Sequence, residues 1–161
     1  MKNLLFPDFY FQNISEIDLE NLSKMGFKGI ILDLDNTLVG WEKNSLNERE
    51  KIWLEKAKKK FKLFIVSNSF FRRKRAKEIG KILDIPVFSS SFKPLPFYFL
   101  KAIKKMNLKK EEVIIIGDQI FTDIIGGNLI GIKTIKVDPL SKKEFLTTRI
   151  IRIFENYLFK K

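Results

Sequence analysis

From about residue 28 onward, short uninterrupted apolar runs alternate with longer stretches in which apolar residues recur at helical spacing. Parallel strands joined by crossover helices produce that alternation. The runs predict strands at 29–33, 63–67, 86–89, 113–117 and 132–137. Most lack internal polar positions, as expected of strands covered on both faces. Helix starts are read from Ser15 with Asp18, Ser45 with Glu48 and Ser141 with Glu144, each a capping-box spacing, and from Pro94, which suits a first helical turn. Gly26 and Gly80 stand where helices are expected to stop. The fold class read from this pattern is α/β: one Rossmann-like, doubly wound domain with a mainly parallel sheet. Within it, 1–27 is an N-terminal extension and helix, 28–140 the α/β core, and 141–161 a C-terminal amphipathic helix. No repeat, low-complexity tract or linker interrupts it.

Composition narrows the chemistry. With 161 residues and 45% hydrophobic content, the chain supports one core of ordinary size. Every apolar run is broken too soon to cross a bilayer, and the MKNLLFPDFYF start is cut by Pro7 and Asp8 before a signal-peptide core can form. A cytoplasmic location is expected. The absence of cysteine excludes disulfide partners, thiolate zinc sites and a cysteinyl nucleophile, and the absence of histidine removes imidazole as base, nucleophile or ligand. Chemistry must run on carboxylates, hydroxyls and amines, with or without a hard cation that prefers oxygen ligands. A formal net charge of +12 draws anions such as phosphoesters, nucleic acid or acidic lipid, although surface lysines serving only to solvate helices explain it equally well.

Ligands of open parallel sheets bind beyond the carboxyl ends of the strands. The polar residues ending the predicted strands are Asp33 and Asp35, then Ser67 and Asn68, then Asp118, with Lys93 in the loop after the third strand. In GIILDLDNTLVGW, an apolar strand runs into two carboxylates one residue apart, so both can turn toward one pocket. One can attack phosphorus while the other manages the leaving-group proton. Asp118, in GDQIFTD, can add an oxygen to a magnesium site. Taken singly, these residues have plainer uses: turns for the paired aspartates, a strand-end cap for Ser67, solvation for Lys93, and a charged helix start for Asp123. Their order along the chain favours a joint role.

DLDNTLV, VSNS, KPLP and GDQIFTD resemble, in that order, the four motifs of the haloacid dehalogenase (HAD) superfamily of phosphatases. The resemblance implies Asp33 as the nucleophile that becomes an aspartyl phosphate and Asp35 as acid and base. It implies Ser67 and Lys93 on the transferring phosphoryl group, with Thr37 and Asn68 as supporting contacts. Mg2+ would be held by Asp33, the Asp35 carbonyl and Asp118, with Asp123 supporting directly or through water. Response-regulator receivers fit poorly, because their paired acids are adjacent whereas Leu34 separates these. Only 34 positions part Asp33 from Ser67 and 26 part Ser67 from Lys93, too few for an inserted cap domain, so an open site is expected.

The PDFYF opening, ISEIDLENL, DLDNTLVGW and GDQIFTDIIGGN further resemble the YqeG family of capless phosphatases, related to phosphatidylglycerophosphate phosphatases. That implies an anionic phospholipid headgroup as the phosphorylated substrate and peripheral contact with an acidic membrane surface. Three segments could make that contact: the cations of FFRRKRAK (70–77), the stripe Leu146, Ile150, Ile153, Tyr157 and Leu158 of the last helix, and the aromatic Phe6, Phe9, Tyr10 and Phe11. Packing on the sheet explains the stripe and the aromatics as well. The rival readings are a phosphatase of a soluble phosphomonoester or nucleic-acid end, and a basic RNA- or ribosome-binding protein with a vestigial site. Nucleic acid is not favoured, for want of an aromatic RNA-binding motif.

Overall fold

The structure is a computed structural model that describes residues 3–41, 43–69 and 72–141. Six parallel strands form one sheet: β1 (Phe9–Phe11), β2 (Gly29–Leu32), β3 (Lys62–Ser67), β4 (Val87–Ser89), β5 (Val113–Gly117) and β6 (Lys133–Val137), in the order β1-β6-β5-β2-β3-β4. The chain moves outward from β2 through β3 to β4, then returns to the other side of β2 for β5 and β6. The direction therefore reverses between β2 and β5, and the crevice at such a switch point is where an open α/β sheet places its chemistry.

Side-chain alternation sorts the strands into two cores. Ile30, Leu32, Leu63, Ile65, Ile114 and Ile116 face one side, where α1 (Leu19–Lys24), α2 (Glu48–Lys60) and α3 (Arg73–Leu83) cover them with Leu22, Trp53, Leu54, Ala76 and Ile79. Ile31, Phe64, Val66, Val113 and Ile115 face the other side, where α4 (Phe97–Met106) contributes Phe99, Ala102, Ile103 and Met106. A short α5 (Ile125–Leu129) packs on that second face through Gly127, whose absent Cβ would lie 2.5 Å from the Thr134 side chain. No cap domain is present among the described residues.

Local details correct the expectations. Asp18 rather than Ser15 caps α1, accepting from the Glu20 and Asn21 amides at 2.9 and 3.1 Å. Asn47 rather than Ser45 caps α2, accepting from Arg49 and Glu50 at 3.1 Å each. In both cases the side-chain oxygen next to the first helical residue reaches the N2 and N3 amides. Gly80 does not end α3 but lies inside it, because a Cβ there would meet Val87 of β4 at 2.2 Å; α3 ends at Asp84 in the left-handed region. Part of the N-terminal extension is a sheet edge. Phe9 and Phe11 pack on the first core, while Tyr10 turns outward and donates its hydroxyl to Asp138 at 2.7 Å. That hydrogen bond pushes the Tyr10 phenol up to about 12. The C-terminal amphipathic helix, its capping partner Glu144, and Phe70 and Phe71 lie outside the described residues.

Candidate active site

β2 is buried along its whole length and delivers Asp33 to the crevice, with the Asp33 amide still bonded to Ile116 of β5. The chain then turns tightly. Asn36 takes a left-handed conformation that asparagine tolerates, and its amide donates to the Val39 carbonyl at 2.7 Å. This turn returns Thr37 toward β5, where its hydroxyl donates to Asp118 at 3.3 Å. Asp35 sits at the rim of the same turn, its side chain 14% exposed.

Asp118 follows β5 and is fully buried. After it the chain makes one π-helical turn, Ile120–Ile124, a rare geometry that recurs at functional sites. The turn brings Asp123 back over the end of β5. Gly117 makes room for it: a Cβ there would fall 2.3 Å from the Asp123 carboxyl group. Asp123 is held by its Oδ2, which accepts from the Gln119 amide and the Thr122 hydroxyl, both at 3.3 Å.

The structure thus brings Asp33, Asp118 and Asp123 together, with one carboxylate oxygen from each lying within 4.8 Å of the others, all buried. Lys93 enters from the loop after β4. Its ammonium group donates to Asp33 Oδ1 and to Asp123 Oδ1, the latter at 2.6 Å. Asn68 fixes that loop, accepting from the Lys93 amide at 2.7 Å and the Ser91 hydroxyl at 3.0 Å, and donating to the Lys93 carbonyl at 3.1 Å. Both Thr37 and Asn68, expected as phosphate contacts, therefore hold protein groups of the site in this arrangement.

Ser67 ends β3, and its hydroxyl lies 2.5 Å from that of Ser69. Ser69 in turn donates to Asp35 Oδ2 at 2.8 Å, so hydroxyl groups link Ser67 to the Asp35 carboxylate. Ser69 was not singled out in the sequence, although it stands in the same VSNS segment. By sequence, Arg75 is only one of the FFRRKRAK cations. Instead it turns inward from α3, donating through Nη1 to Asp35 Oδ1, through Nη2 to the carbonyls of Lys43 and Gly40, and through Nε to Asn44 Oδ1 at 3.1 Å. Arg72 likewise donates to the Trp41 carbonyl at 2.5 Å and lies over the indole ring. Residues 40, 41, 43 and 44 thus form a short flap tied to the start of α3 beside Asp35.

Electrostatics make this cluster unusual. Four carboxylates, Asp33, Asp35, Asp118 and Asp123, face two cations, Lys93 and Arg75. Burial raises the Asp33 pKa well above the usual carboxylate range, opposed by the Lys93 charge and reinforced by Asp123 and Asp118. Burial alone would lower the Lys93 ammonium, but the Asp123 and Asp33 charges outweigh it and hold the group firmly protonated. Like charges this close and this dry need a counter-ion. Hard oxygen donors from a few carboxylates are the set magnesium prefers, so the residues present fit that ion.

The match to known proteins covers most of the chain. The family model described as Mitochondrial PGP phosphatase matches residues 1–141. The chain is 39% identical over 156 residues to the Bacillus subtilis (strain 168) protein named Probable phosphatase YqeG, covering 96% of this chain and 90% of that protein. It is 28% identical over 162 residues to an Arabidopsis thaliana protein named Phosphatidylglycerophosphate phosphatase 1, chloroplastic/mitochondrial, covering 94% of this chain but only 47% of the plant protein. In fold it is similar to a Listeria monocytogenes serotype 4b protein, with a TM-score of 0.56 at 20% identity over 74% of this chain and 85% of the other. A HAD phosphatase from Thermococcus onnurineus matches with a TM-score of 0.52 at 20% identity, covering 71% and 59% of the two chains.

Proposed function

The chain belongs to the mitochondrial PGP phosphatase family of HAD-type phosphatases, and on that premise we propose that it is a magnesium-dependent phosphomonoester hydrolase acting on phosphatidylglycerophosphate to yield phosphatidylglycerol. One observation carries the catalytic part: a buried carboxylate at the switch point, Asp33, sits against Lys93 with Asp118 and Asp123 close by. The lipid part rests on the likeness to the plant relative.

In this reading an Asp33 carboxylate oxygen attacks phosphorus and the bond to the leaving alkoxide breaks. Asp35 gives that oxygen its proton, and Asp33 is left as an acyl phosphate. Asp35 then takes a proton from water as the water oxygen attacks the same phosphorus, freeing inorganic phosphate and restoring the Asp33 carboxylate. Ser69 and Arg75, both bonded to Asp35, aim it at the reacting oxygen. Lys93 and the Ser67 hydroxyl supply donors for the equatorial oxygens, on which most phosphoryl-transfer catalysis depends. Asp33, Asp118, Asp123 and the Asp35 carbonyl would hold Mg2+, which when bound neutralises charge on the phosphoryl group. Asp33 must be ionised to attack, and a bound cation beside Lys93 would favour that form against the burial that raises its proton affinity.

The test is phosphate release from phosphatidylglycerophosphate in mixed vesicles, with magnesium and with chelator. Release that needs magnesium and disappears in Asp33→Asn is expected. Turnover of soluble phosphomonoesters with none of the lipid would overturn the substrate assignment alone; no turnover of any phosphoester would overturn the catalytic reading.

A further inference from the structure

Four large apolar side chains stand out on the surface within nine residues: Phe92 at 60% exposure, Leu95 and Phe97 at 62% each, and Leu100 at 40%. None belongs to either core. Phe92 and Leu95 flank the buried Lys93 in the segment between β4 and α4, and Phe97 and Leu100 follow on the first turn of α4. The Phe92–Leu95 turn is closed by the Leu95 amide donating to the Phe92 carbonyl at 3.0 Å, and Phe92 takes a left-handed backbone with φ of 50°. Leu100 follows Phe97 by three residues, so the two share one side of α4. Apolar groups gathered in this way beside a site mark an interaction surface.

Charge indicates the occupant. Residues 85–110 contain no carboxylate, and the flanking acids, Asp84 and Glu111, precede β4 and β5 and so lie toward the opposite edge of the sheet. At the near edge, Arg73 and Lys74 are exposed on the first turn of α3, with Arg73 Nε donating to Ser90 Oγ at 3.0 Å. Exposed Lys101 reaches across the Phe97 ring at 5.7 Å. The amino ends of α3 and α4, the positive ends of their dipoles, lie toward the same edge. Apolar tips ringed by cations match an anionic bilayer, with acyl chains below and phosphates above.

We propose that Phe92, Leu95, Phe97 and Leu100 form a wedge that seats the protein on an anionic phospholipid surface, with Arg73, Lys74 and Lys101 on the headgroups. Because Lys93 lies within the wedge segment, docking brings its pocket to the headgroup layer, where a lipid phosphomonoester is presented. This rests on the lipid-phosphatase reading and gives it a surface. Of the aromatic N-terminus, Phe9 and Phe11 pack inward, whereas Phe6 and Tyr10 stay exposed.

The experiment is sedimentation of the full chain with phosphatidylglycerol–phosphatidylcholine vesicles, alongside hydrolysis of p-nitrophenyl phosphate. The double variant Leu95→Ser/Phe97→Ser is expected to bind the vesicles about tenfold more weakly, or worse, since inserted apolar area sets the affinity. Its turnover of p-nitrophenyl phosphate should match the parent, which also shows that it folds. Leu95→Trp is expected to bind more tightly. Equal vesicle binding by parent and double variant, or parental indifference to phosphatidylglycerol, overturns the wedge and leaves a protein partner as the occupant, whatever the catalytic result. Loss of all phosphatase activity in the parent would instead strike the catalytic reading, and vesicle binding would still judge the wedge.

Discussion

Gly117 and Asp123 are six positions apart and act as one unit. The Asp123 carboxyl group occupies the place where a Gly117 side chain would begin, so a methyl group there must push Asp123 away from Lys93 and the other two acids. Gly117→Ala is expected to raise the magnesium concentration for half-maximal activity by about ten- to a hundredfold, the cost typical of disturbing a group that orients a metal site. In an Asp123→Gly background the same change should add almost nothing, because the Asp123 atoms that the new methyl group would meet, its Cβ included, are gone; full additivity in that double-mutant cycle would refute the coupling. The hydrophobic pattern alone puts Asp33, Ser67 and Asp118 at strand ends and Lys93 in the loop after another strand, and the structure collects them in one crevice. Gly117, Ser69 and Arg75 were not legible as site residues. Ser69 and Arg75 matter through Asp35, 34 and 40 positions away, which no local pattern encodes, and Gly117 matters through a π-helical turn that folds Asp123 back on it.

At the scale of elements, α3 does more than cover the sheet. Arg72, at its N-cap, and Arg75, on its first turn, grip the flap and, through Asp35, tie it to the site. The fork of one guanidinium satisfies two carbonyls and a carboxylate at once, which a lysine cannot do. Arg75→Ala should therefore release the flap and misplace Asp35 together. The expected result is faster proteolytic cleavage near residues 40–44 and a fall in kcat of about ten- to a hundredfold, as for other catalytic groups displaced by about an ångström. Arg75→Lys should recover part of kcat through its charge while leaving the flap exposed to protease. If Arg75→Ala changes neither measurement, the clamp is an incidental surface contact. Five of the six strands were readable from their apolar runs. β1 was not, because three residues with one outward tyrosine carry too short a pattern to distinguish an edge strand from a loose aromatic tail. The true caps, Asp18 and Asn47, compete in sequence with neighbouring serines, and only backbone direction decides between them.

Over the whole molecule, a chain of net charge +12 concentrates three buried carboxylates, Asp33, Asp118 and Asp123, with a fourth, Asp35, at the rim beside them. The surface excess of lysine does little to offset them, since exposed charges are screened over about 10 Å at ordinary salt. The fold thus carries a local repulsion that two basic side chains only partly relieve, and a divalent cation entering the pocket should be felt as global stability. Binding to the folded state alone adds about 2.7 kcal/mol when the ion is present at a hundredfold excess over its Kd. For a domain of this size each kcal/mol moves Tm by roughly 2–4 °C. Magnesium is therefore expected to raise Tm by about 5–10 °C, with the shift abolished in Asp118→Asn, whose amide cannot replace the ionised ligand. Phosphate release plays no part in this measurement, so it tests the cation site even if the substrate assignment fails. An unchanged Tm in saturating magnesium would mean that Lys93 and Arg75 already satisfy the acids, and that these carboxylates form a buried ion-pair network with no metal at its centre.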